Sequence, residues 1–389
     1  MSSPTLLLSA GDVSGDDHAA ELVRAFRQRR PGARFVGLGG PAMRRAGVEL
    51  AVAQDELAVG GLFELGRSAP RIAGAWRRMG TALDRARPDL VVLVDSGGFN
   101  LPFAARVRRR SSAPILFYVA PQVWAWRPGR IRKLARRVDR LAVIFPFEPE
   151  VYAGTGLTVE FVGHPLVDRM RALREQWDAR SARALLGLDP EARWIALLPG
   201  SRRNEIDHQL PLQLETARRV HARTPGAAFV LALAPSIERA RVDAIVRRAA
   251  LPELLRLVVV EGRTPLAIRA ADTVLAKPGS VTVEVTLLER PMVVMGRVNA
   301  LTAAVLRRAV RVPAFAMPNL IAGKSVVPEF LQDDARPDAM ADALLALLDG
   351  PVRREQLARL REVADKLGEG GAAERAAGLA EKMLGPPRA

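Results

Sequence analysis

Short runs of apolar residues alternate with amphipathic stretches along most of the chain, and these runs predict strands. In the first half the predicted strands are Thr5–Ala10, Arg34–Leu38, Leu90–Asp95, Pro114–Val119, Arg140–Phe145 and Thr158–Val162. In the second half they are Trp194–Leu198, Ala228–Ala232, Leu257–Glu261, Asp272–Leu275 and Met292–Met295. Because strands that alternate with helices are typical of a parallel sheet covered by helices, the pattern indicates an α/β protein.

The length of the chain predicts more than one domain, since 389 residues exceed what a single hydrophobic core usually supports. A polar stretch at Asp168–Arg193 separates the two sets of strands. We therefore expect one Rossmann-like domain over residues 1–167, a second over 190–350, and a charged helical tail over 351–389. Two open sheets that face each other would place a ligand cleft between the domains, at the carboxyl ends of the strands.

Composition narrows the classes of function. A hydrophobic content of 49% with 26% charged residues is typical of a soluble globular protein. The chain contains no run of about 18 uncharged apolar residues, which is the length needed to span a bilayer. The chain enters a strand at once without a charged leader, so we do not expect secretion. There is no cysteine, and the four histidines lack the spacing of metal ligands, so no metal or other cofactor is predicted.

The net charge of +16 would suit a nucleic acid or an acidic membrane surface. The excess comes from arginine spread over the whole chain, because lysine supplies only five of the 58 basic residues. An aromatic content of 5% leaves few side chains on which unpaired bases could stack. We therefore expect no nucleic-acid partner, whereas attraction to acidic lipid headgroups stays open.

Two junctions in the second half share the residues Pro-Gly-Ser between a strand and a helix. The first contains Gly200 and Ser201, and the second contains Gly279 and Ser280. Backbone N–H groups at the start of a helix favour an anion, and glycine lets the backbone approach it closely. The pair predicts a cradle for a nucleotide diphosphate, although each junction could also be an ordinary strand–turn–helix with a Ser cap.

Charged neighbours of these junctions suit the same ligand. Arg202 follows the first junction, and its planar guanidinium can fork onto a diphosphate. Glu284 follows the second junction by one helical turn, at a distance suited to the diol of a ribose. The predicted substrate site also includes Glu205, Gly262 and Val281.

The first half carries acidic turns instead. The strand Thr5–Ala10 runs into a glycine turn that contains Ser14, Gly15 and Asp16. Because carboxylates repel phosphate, we expect this turn to hold a neutral, hydroxyl-rich group such as an acyl-sugar acceptor; the alternative is a helix start with an Asp cap. Asp95 ends an apolar strand, where a carboxylate facing a cleft can act as the general base for an incoming hydroxyl, or can cap the next helix.

Two of the five tryptophans lie close together after a predicted strand. One of them, Trp124, has Gln122 and Arg127 nearby, and this group predicts a wall for a sugar ring or an acyl chain. Core packing would explain one tryptophan equally well. His164, at the end of the first predicted domain, is either a catalytic residue or a hinge histidine bonded to backbone.

The segment Leu57–Arg85 interleaves apolar bulk with arginines, and Leu301–Val312 repeats the pattern. Its apolar residues are Leu62, Phe63, Leu65, Ile72, Trp76 and Met79, and its arginines are Arg67, Arg71, Arg77 and Arg78. An apolar face with an arginine rim suits a helix that lies in a lipid headgroup layer. An ordinary buried helix face would look similar, and that alternative stays open.

Eight motifs occur in one order along the chain. They are Ser9-Ala-Gly-Asp-Val-Ser-Gly-Asp16, Arg34-Phe-Val-Gly-Leu-Gly-Gly-Pro41, Asp95-Ser-Gly-Gly-Phe-Asn100, Tyr118-Val-Ala-Pro-Gln-Val-Trp-Ala-Trp-Arg127, Phe145-Pro-Phe-Glu148, Val162-Gly-His-Pro165, Leu198-Pro-Gly-Ser-Arg202 and Pro318-Asn-Leu-Ile-Ala-Gly323. With them the chain resembles lipid-A-disaccharide synthases from about residue 6 to 335. So many motifs in one order are hard to reach by chance.

The resemblance implies an inverting, metal-independent glycosyltransferase with two facing Rossmann-like domains, the GT-B architecture. It implies transfer of 2,3-diacylglucosamine from its UDP ester to 2,3-diacylglucosamine 1-phosphate, which forms a β-1,6 tetra-acyl disaccharide phosphate and UDP. The implied partners are a UDP-sugar donor, an acyl-sugar phosphate acceptor and the cytoplasmic face of the inner membrane, where the protein would be peripheral. A homodimer is compatible with it.

Matched residue by residue, the resemblance implies that Asp95 is the base, Arg202 the arginine beside the phosphates and Glu284 the ribose carboxylate. It adds Asn319 as a polar catalytic residue. Three motifs depart from the family: Gly97-Gly98 replaces Pro-Asp, Asp12-Val replaces Glu-Ala, and Pro278-Gly-Ser280 replaces Ser-Gly-Thr after Lys277. These changes leave the reaction type in place and bear on the acceptor and the acyl chains.

Three other functions stay open. A related GT-B glycosyltransferase would use another lipid acceptor, and a UDP-sugar 2-epimerase would act on the UDP-sugar alone. A basic protein that binds nucleic acid or membrane without catalysis would release no UDP.

Overall fold

The computed structural model describes residues 3–57, 65–122, 124, 128–299 and 313–384. The chain divides into two compact units. The first comprises Met1–Pro165 with Leu367–Ala389, and the second comprises Leu166–Lys366. Within the described ranges, no helix is both long and apolar enough to cross a membrane.

The first unit is built around a seven-stranded parallel sheet with the order β3-β2-β1-β4-β5-β6-β7. Its strands are β1 (Thr5–Ala10), β2 (Arg34–Gly39), β3 (Glu49–Ala53), β4 (Leu90–Val94), β5 (Ile115–Tyr118), β6 (Arg140–Val143) and β7 (Thr158–Phe161). Its described helices are α1 (Val13–Arg29), α2 (Pro41–Arg45), α3 (Leu65–Ala86), α4 (Gly97–Arg110), α5 (Ile131–Ala135), α6 (Glu148–Val151) and α16 (Ala372–Leu384).

The second unit has a six-stranded parallel sheet with the order β10-β9-β8-β11-β12-β13. Its strands are β8 (Arg193–Leu198), β9 (Ala227–Leu233), β10 (Leu257–Glu261), β11 (Thr273–Ala276), β12 (Met292–Gly296) and β13 (Glu329–Leu331). Its described helices are α7 (Leu166–Gln176), α8 (Ala179–Leu185), α9 (Arg203–Arg223), α10 (Arg239–Ala249), α11 (Thr264–Ala270), α12 (Val281–Leu287), α13 (Met317–Ala322), α14 (Pro337–Ala346) and α15 (Gly350–Lys366).

The central strands of both sheets are buried on both faces. Every residue of β4 and of β9 is buried, and both strands are continuous apolar runs. Parallel strands are continuous apolar runs because helices cover both faces of the sheet, so neither face is exposed to water. This burial confirms the α/β prediction and explains why apolar runs located the central strands.

Two edge strands escaped the sequence pattern. Among the described residues β3 pairs only with β2, and β13 only with β12, so each lies at the edge of its sheet. β3 has one buried residue and β13 has none. Both strands are short and largely half-exposed, and neither is among the strands that the sequence pattern predicted.

The C-terminal residues divide between the two units. We expected 351–389 to form one helical tail, but α15 belongs to the second unit and the chain from Leu367 onward belongs to the first. There α16 packs against α1 and β4, and Glu381 of α16 forms ion pairs of 2.7 Å with Arg29 and Arg30. The chain therefore returns to its first unit after completing the second.

Candidate functional site

In each unit the strand order reverses next to the first strand. The reversal lies between β1 and β4 in the first sheet and between β8 and β11 in the second. At such a switch point the loops after the two strands diverge to opposite faces and leave a crevice at their carboxyl ends, where open α/β sheets bind ligands. The predicted residues Asp95, Gly200 and Gly279 follow β4, β8 and β11, so they lie at these crevices.

Asp12 connects the two loops at the first switch point. Its Oδ1 accepts a hydrogen bond of 2.7 Å from the Gly15 backbone and caps α1. Its Oδ2 accepts a hydrogen bond of 2.7 Å from the Ser96 hydroxyl, and that hydroxyl accepts one of 3.0 Å from the Gly11 backbone. The loop after β1 and the loop after β4 are thus joined through Asp12 and Ser96.

Asp95 lies in a strained turn beside this network. Asp95 and Ser96 both have a φ of 45°, and left-handed backbone at a residue other than glycine costs of order 1–3 kcal/mol. Burial, and after it the negative charge of Asp12, raises the pKa of Asp95 to about 7, against a hydrogen bond from the Ser96 backbone that lowers it. A carboxyl group that titrates near neutrality can accept a proton as a general base.

Asn100 holds the strained turn in place, a role that motif matching alone did not predict. Its side chain is fully buried, and its Nδ2 donates to the carbonyl oxygens of Ser9, Val94 and Asp95 at 2.9–3.0 Å. Its Oδ1 accepts a hydrogen bond of 2.6 Å from the Ser9 hydroxyl. One amide thus ties the ends of β1 and β4 together.

The carboxylate of Asp16, in the acidic turn after β1, accepts its hydrogen bonds from the protein backbone. Asp16 is 3% exposed, and its carboxylate accepts hydrogen bonds of 2.7–3.0 Å from the backbone of Gly40, Ala42 and Met43 at the start of α2. We expected Asp16 to bind substrate, but the structure uses both of its oxygens as a cap. Ser14 is exposed and donates to Asp12 Oδ1 at 3.2 Å, which leaves it accessible to a ligand.

Trp124 donates a hydrogen bond to Glu148, a buried carboxyl group for which the sequence predicted no role. Its indole N–H donates a hydrogen bond of 3.2 Å to Glu148 Oε1, and Glu148 is 1% exposed. The Trp124 ring also meets Phe147 edge to face at 5.0 Å. Gln122, two residues before Trp124, is exposed. Arg127, the third residue of the predicted sugar-binding or acyl-binding wall, lies outside the described residues.

Glu148 also holds the end of β6. Its Oε2 accepts hydrogen bonds of 3.1 and 3.0 Å from the backbone of Ile144 and Phe145. Burial raises the pKa of Glu148 to about 7, and the charge of Asp95 adds to the rise, although the hydrogen bonds it accepts oppose it. Glu148 could have been predicted as a site residue from its position shortly after the end of β6, where polar residues of parallel sheets often lie at a ligand site.

His164 is buried in the first unit. Its backbone N–H donates a hydrogen bond of 2.8 Å to the carbonyl oxygen of Leu367, where the chain re-enters this unit. Burial, and after it the charge of His18, lowers the pKa of His164 to about 3. A histidine that stays neutral at physiological pH in this setting fits the backbone-bonded alternative better than acid–base catalysis.

At the second switch point, the first Pro-Gly-Ser junction is capped by its own helix. Glu205, in the first turn of α9, accepts hydrogen bonds of 2.9 and 3.2 Å from the backbone N–H groups of Ser201 and Arg202. Gly200 has a φ of 126°, and a Cβ there would lie 2.5 Å from Glu205 Oε2. We expected these N–H groups to face a phosphate and Glu205 to bind substrate; instead Glu205 occupies them as a helix cap.

Glu205 also gathers two cations. Its Oε1 lies 3.0 Å from Arg202 Nη1 and 3.0 Å from Lys277 Nζ. Burial by itself would raise the pKa of Glu205, but the charge of Lys277, the Ser201 N–H and the charge of Arg202 together lower it. The carboxylate therefore stays ionised between the two basic side chains.

The second Pro-Gly-Ser junction begins α12. Gly279 has a φ of 141°, which favours glycine, and its carbonyl oxygen accepts a hydrogen bond of 2.7 Å from the Thr282 hydroxyl. Ser280 precedes Val281, the first residue of α12, but its side chain makes no capping hydrogen bond. Burial raises the pKa of Glu284, in the same helix, against the charge of Arg169.

Gly262 lies on the same edge of the second sheet but away from the switch point. It follows β10, which is separated from β8 by β9. Its backbone N–H donates a hydrogen bond of 2.9 Å to the carbonyl oxygen of Leu233. Gly262 therefore lies in a loop at the outer end of this sheet edge and not beside Gly200 and Gly279.

The side chain of Asn319 forms hydrogen bonds to neighbouring protein segments. It is 5% exposed, and its Nδ2 donates to the Val327 carbonyl at 2.9 Å and to Glu329 Oε1 at 2.7 Å. Its Oδ1 accepts hydrogen bonds of 2.7 and 2.9 Å from the backbone of Val326 and Val327. We predicted a catalytic residue; in the structure both donors and both acceptor positions of this amide join α13 to β13 and to the residues just before it.

The proposed interfacial segment is partly core. Met79 is fully buried, and Trp76 packs edge to face against Phe99 and Phe103 at 5.5 and 5.9 Å, which favours the buried-face alternative for this part of α3. Arg71, Arg77 and Arg78 are exposed on the same helix. Leu62, Phe63 and Leu301–Val312 lie outside the described residues, as do the side chains of Leu65 and Arg67.

Within the part of the chain that the structure describes, no group of three or more His, Asp or Glu residues is arranged to hold a metal ion.

Comparison with known proteins identifies close relatives along the whole chain. A model of the lipid-A-disaccharide synthetase family matches residues 6–383. The lipid-A-disaccharide synthase of Anaeromyxobacter dehalogenans is 41% identical over 384 residues, which cover 98% of this chain and 97% of that protein.

Solved structures with the same fold are more distant in sequence. A putative UDP-N-acetylglucosamine 2-epimerase from Listeria monocytogenes has a TM-score of 0.64 at 14% identity, over 96% of this chain and 95% of that one. The glycotransferase of kitacinnamycin has a TM-score of 0.64 at 19% identity, over 98% of this chain and 100% of that one. At such low identity these two likenesses show the fold alone.

Proposed function

The chain belongs to the lipid-A-disaccharide synthetase family, and on that premise we propose the reaction that its two switch points carry out. The protein is a glycosyltransferase. It transfers 2,3-diacylglucosamine from UDP-2,3-diacylglucosamine to the 6-hydroxyl of 2,3-diacylglucosamine 1-phosphate. The products are a β-1,6-linked tetra-acyl disaccharide 1-phosphate and UDP.

Asp95 acts as the general base in this proposal. As the acceptor 6-hydroxyl oxygen forms its bond to the anomeric carbon, the hydroxyl proton passes to the Asp95 carboxylate and the bond from that carbon to the diphosphate oxygen breaks. Attack from the face opposite the leaving group inverts the configuration. A pKa of about 7 suits this step, because a base that titrates near the working pH is ionised in part and still takes the proton readily.

The second unit holds the donor. We place the diphosphate at Gly279, Ser280 and Arg202, and the ribose at Glu284. UDP leaves with increased negative charge on its terminal phosphate, and fixed backbone N–H groups with a guanidinium stabilise such charge. The location of both junctions at the second switch point supports this placement.

One observation carries the proposal: a strained carboxyl group with a pKa near neutrality follows β4 at a switch point, in a chain that matches the family over residues 6–383. The test is to incubate the purified protein with UDP-2,3-diacylglucosamine and 2,3-diacylglucosamine 1-phosphate and to analyse the products by mass spectrometry. We expect a disaccharide phosphate and an equal amount of UDP. Conversion of the UDP-sugar without an acceptor would instead indicate an epimerase.

We also propose that the protein works as a peripheral protein at the cytoplasmic face of the inner membrane. Donor and acceptor both carry acyl chains, so the enzyme must meet a lipid surface, and Arg71, Arg77 and Arg78 are exposed on α3. We expect sedimentation with vesicles that contain phosphatidylglycerol and little with phosphatidylcholine alone, weakened by salt. Equal binding to both would contradict the role of the arginines. Light scattering of the free protein would show whether it is a homodimer.

A further inference from the structure

We propose that Lys277 is a second cation for the diphosphate of the donor, and that Glu205 positions both Lys277 and Arg202 for it. The inference rests on the proposed function, because it requires a nucleoside diphosphate sugar as substrate. It adds a residue that lies just outside the Pro-Gly-Ser motif and that the family resemblance did not assign.

The sheet brings Lys277 to the first junction. β11 and β8 are parallel neighbours in which Ala276 is the partner of Leu198. Lys277, the first residue after β11, donates its backbone N–H to the carbonyl oxygen of Leu198 at 3.1 Å. Lys277 therefore emerges directly beside the junction that contains Gly200, at the switch point of the second unit.

The Lys277 ammonium lies between the two junctions. Its Nζ is 3.0 Å from Glu205 Oε1, on the helix that follows the first junction. The same Nζ is 3.2 Å from the position that a Cβ would take on Gly279, in the second junction. A single positive charge thus lies beside both turns, close to Gly279 and to Glu205, which also holds Arg202.

The two cations lie at different depths around one carboxylate. The side chain of Lys277 is 19% exposed and that of Glu205 is 15% exposed, whereas Arg202 is 75% exposed. Together they leave one net positive charge at the crevice. An ammonium has three N–H donors, and Glu205 takes one of those of Lys277, so two can reach phosphate oxygens.

Glu205 itself is a positioning residue. A carboxylate repels phosphate, and the contacts of its two oxygens are with the protein: the backbone of Ser201 and Arg202, the Arg202 guanidinium and the Lys277 ammonium. It fixes the turn through the backbone contacts and the cations through the side-chain contacts. A diphosphate would then meet two cations that are already oriented.

The test compares Lys277→Met, Lys277→Arg and Glu205→Gln with the wild type, and uses Lys366→Met, at an exposed lysine of α15, as the matched control. Calorimetry gives the Kd for UDP at several salt concentrations, and steady-state assays give kcat and the KM of each substrate. We expect Lys277→Met to weaken UDP binding and raise the donor KM by about ten- to a hundredfold, as for loss of a charge-assisted hydrogen bond, with the acceptor KM unchanged.

Four further results are expected. Lys277→Arg retains most of the UDP affinity, because the charge remains. Lys277→Met lowers the salt dependence of UDP binding, because one charge contact is gone. Glu205→Gln also weakens UDP binding, and the double variant Glu205→Gln/Lys277→Met loses less than the sum of the two single variants, because both changes act on one contact.

The outcomes separate this inference from the proposed function. If the wild type makes the disaccharide while Lys277→Met binds UDP with the wild-type Kd and salt dependence, the inference is wrong and the function stands. If the wild type neither binds UDP nor makes the disaccharide, the function itself fails. Should Lys277→Met not fold by circular dichroism, Lys277→Gln takes its place, and an unchanged salt dependence in that variant overturns the inference.

Discussion

At the scale of single residues, the first switch point places a carboxyl group where water does not stabilise its charge. Asp95 lies in left-handed backbone, and burial together with the charge of Asp12 raises its pKa from 3.8 to about 7. Asn100 maintains the turn through hydrogen bonds to the ends of β1 and β4. Ser96 adds a hydrogen bond from its hydroxyl to Asp12, the N-cap of α1. The arrangement stabilises a stronger base at the cost of a less stable fold.

Replacement of Asp95 tests its role in the reaction. Asp95→Asn keeps the shape of the side chain but cannot accept the proton, so we expect kcat to fall by at least about a hundredfold, the size of a general-base contribution. UDP affinity should remain at the wild-type level, because we place UDP on the second unit. Turnover at the wild-type rate would remove Asp95 from the mechanism.

The pH profile reports the same group. Because the base must be ionised, kcat/KM should rise with pH and level off above about 7, the pKa of Asp95. Asp12→Asn removes the charge that helps to raise this pKa and can still cap α1. The rising limb should therefore move to lower pH in that variant, as steady-state assays between pH 5 and pH 9 would show. A limb that does not move would contradict the coupling between the two carboxyl groups.

The raised pKa also predicts how stability depends on pH. A carboxyl group whose pKa is higher in the folded than in the unfolded state favours folding when it is protonated, so this contribution is lost as pH rises from 3.8 to about 7. Asp95→Asn cannot ionise and avoids the loss. Thermal melts should show a Tm a few degrees above the wild type at pH 8 and little difference near pH 4. A lower Tm at pH 8 would mean that the charge is not destabilising.

At the scale of elements, the start of α4 shows how one departure from the family motif fits this structure. Gly97 is the first residue of α4, and a Cβ there would lie 2.5 Å from Pro121 Cβ. Among the described residues, a Cβ on Gly98 would meet no atom within 4 Å outside its chain neighbours and the backbone of its own helix. The loop after β5 thus packs against Gly97 so closely that a larger residue would force a shift, whereas no such contact constrains Gly98 among the described residues.

This difference can be measured with paired substitutions. Gly97→Ala should lower the free energy of unfolding by about 1–3 kcal/mol, because Pro121 and the start of α4 must move apart. That movement disturbs the turn of Asp95, so turnover should fall as well. Gly98→Ala is the control, and it should leave activity intact and raise stability by about 0.5–1 kcal/mol through helix propensity. Equal effects in denaturant unfolding would contradict the close contact with Pro121.

At the scale of the whole molecule, the first unit is completed by residues from the C-terminus. Arg375 in α16 donates a hydrogen bond of 2.8 Å to the carbonyl oxygen of Val162 and another to that of Gly370. Its guanidinium covers Gly163, which has a φ of 81°. The end of the chain therefore supports the segment with which the first unit ends.

Removal of this support should destabilise the first unit. Arg375→Met leaves the Val162 carbonyl without this partner, and we expect a loss of about 1–3 kcal/mol in the free energy of unfolding. Arg359→Met serves as control, since Arg359 forms an exposed ion pair of 2.6 Å with Glu355 on α15, and such pairs contribute about 0–1 kcal/mol. Hydrogen exchange would show the change in α1 and α16, and protection equal to that of the control would contradict the role of Arg375.

The sequence by itself determined the class of fold, the central strands and the polar turns that follow them. These features are encoded locally: an apolar run of five residues in β4, or Pro-Gly-Ser at Gly200 and Gly279, has the same meaning wherever the strand lies in the sheet. The short, half-exposed edge strands β3 and β13 were not predicted, and they became visible only when paired with their neighbours.

Only the tertiary structure decided how the polar residues are used. Asp16 and Asn319 match family motifs, yet hydrogen bonds to other segments occupy their polar atoms. Glu205 and Lys277 are 72 residues apart and meet because β8 and β11 are neighbours. Strand order decides which distant side chains come within hydrogen-bonding distance, and it follows from the packing of the whole sheet rather than from any local pattern.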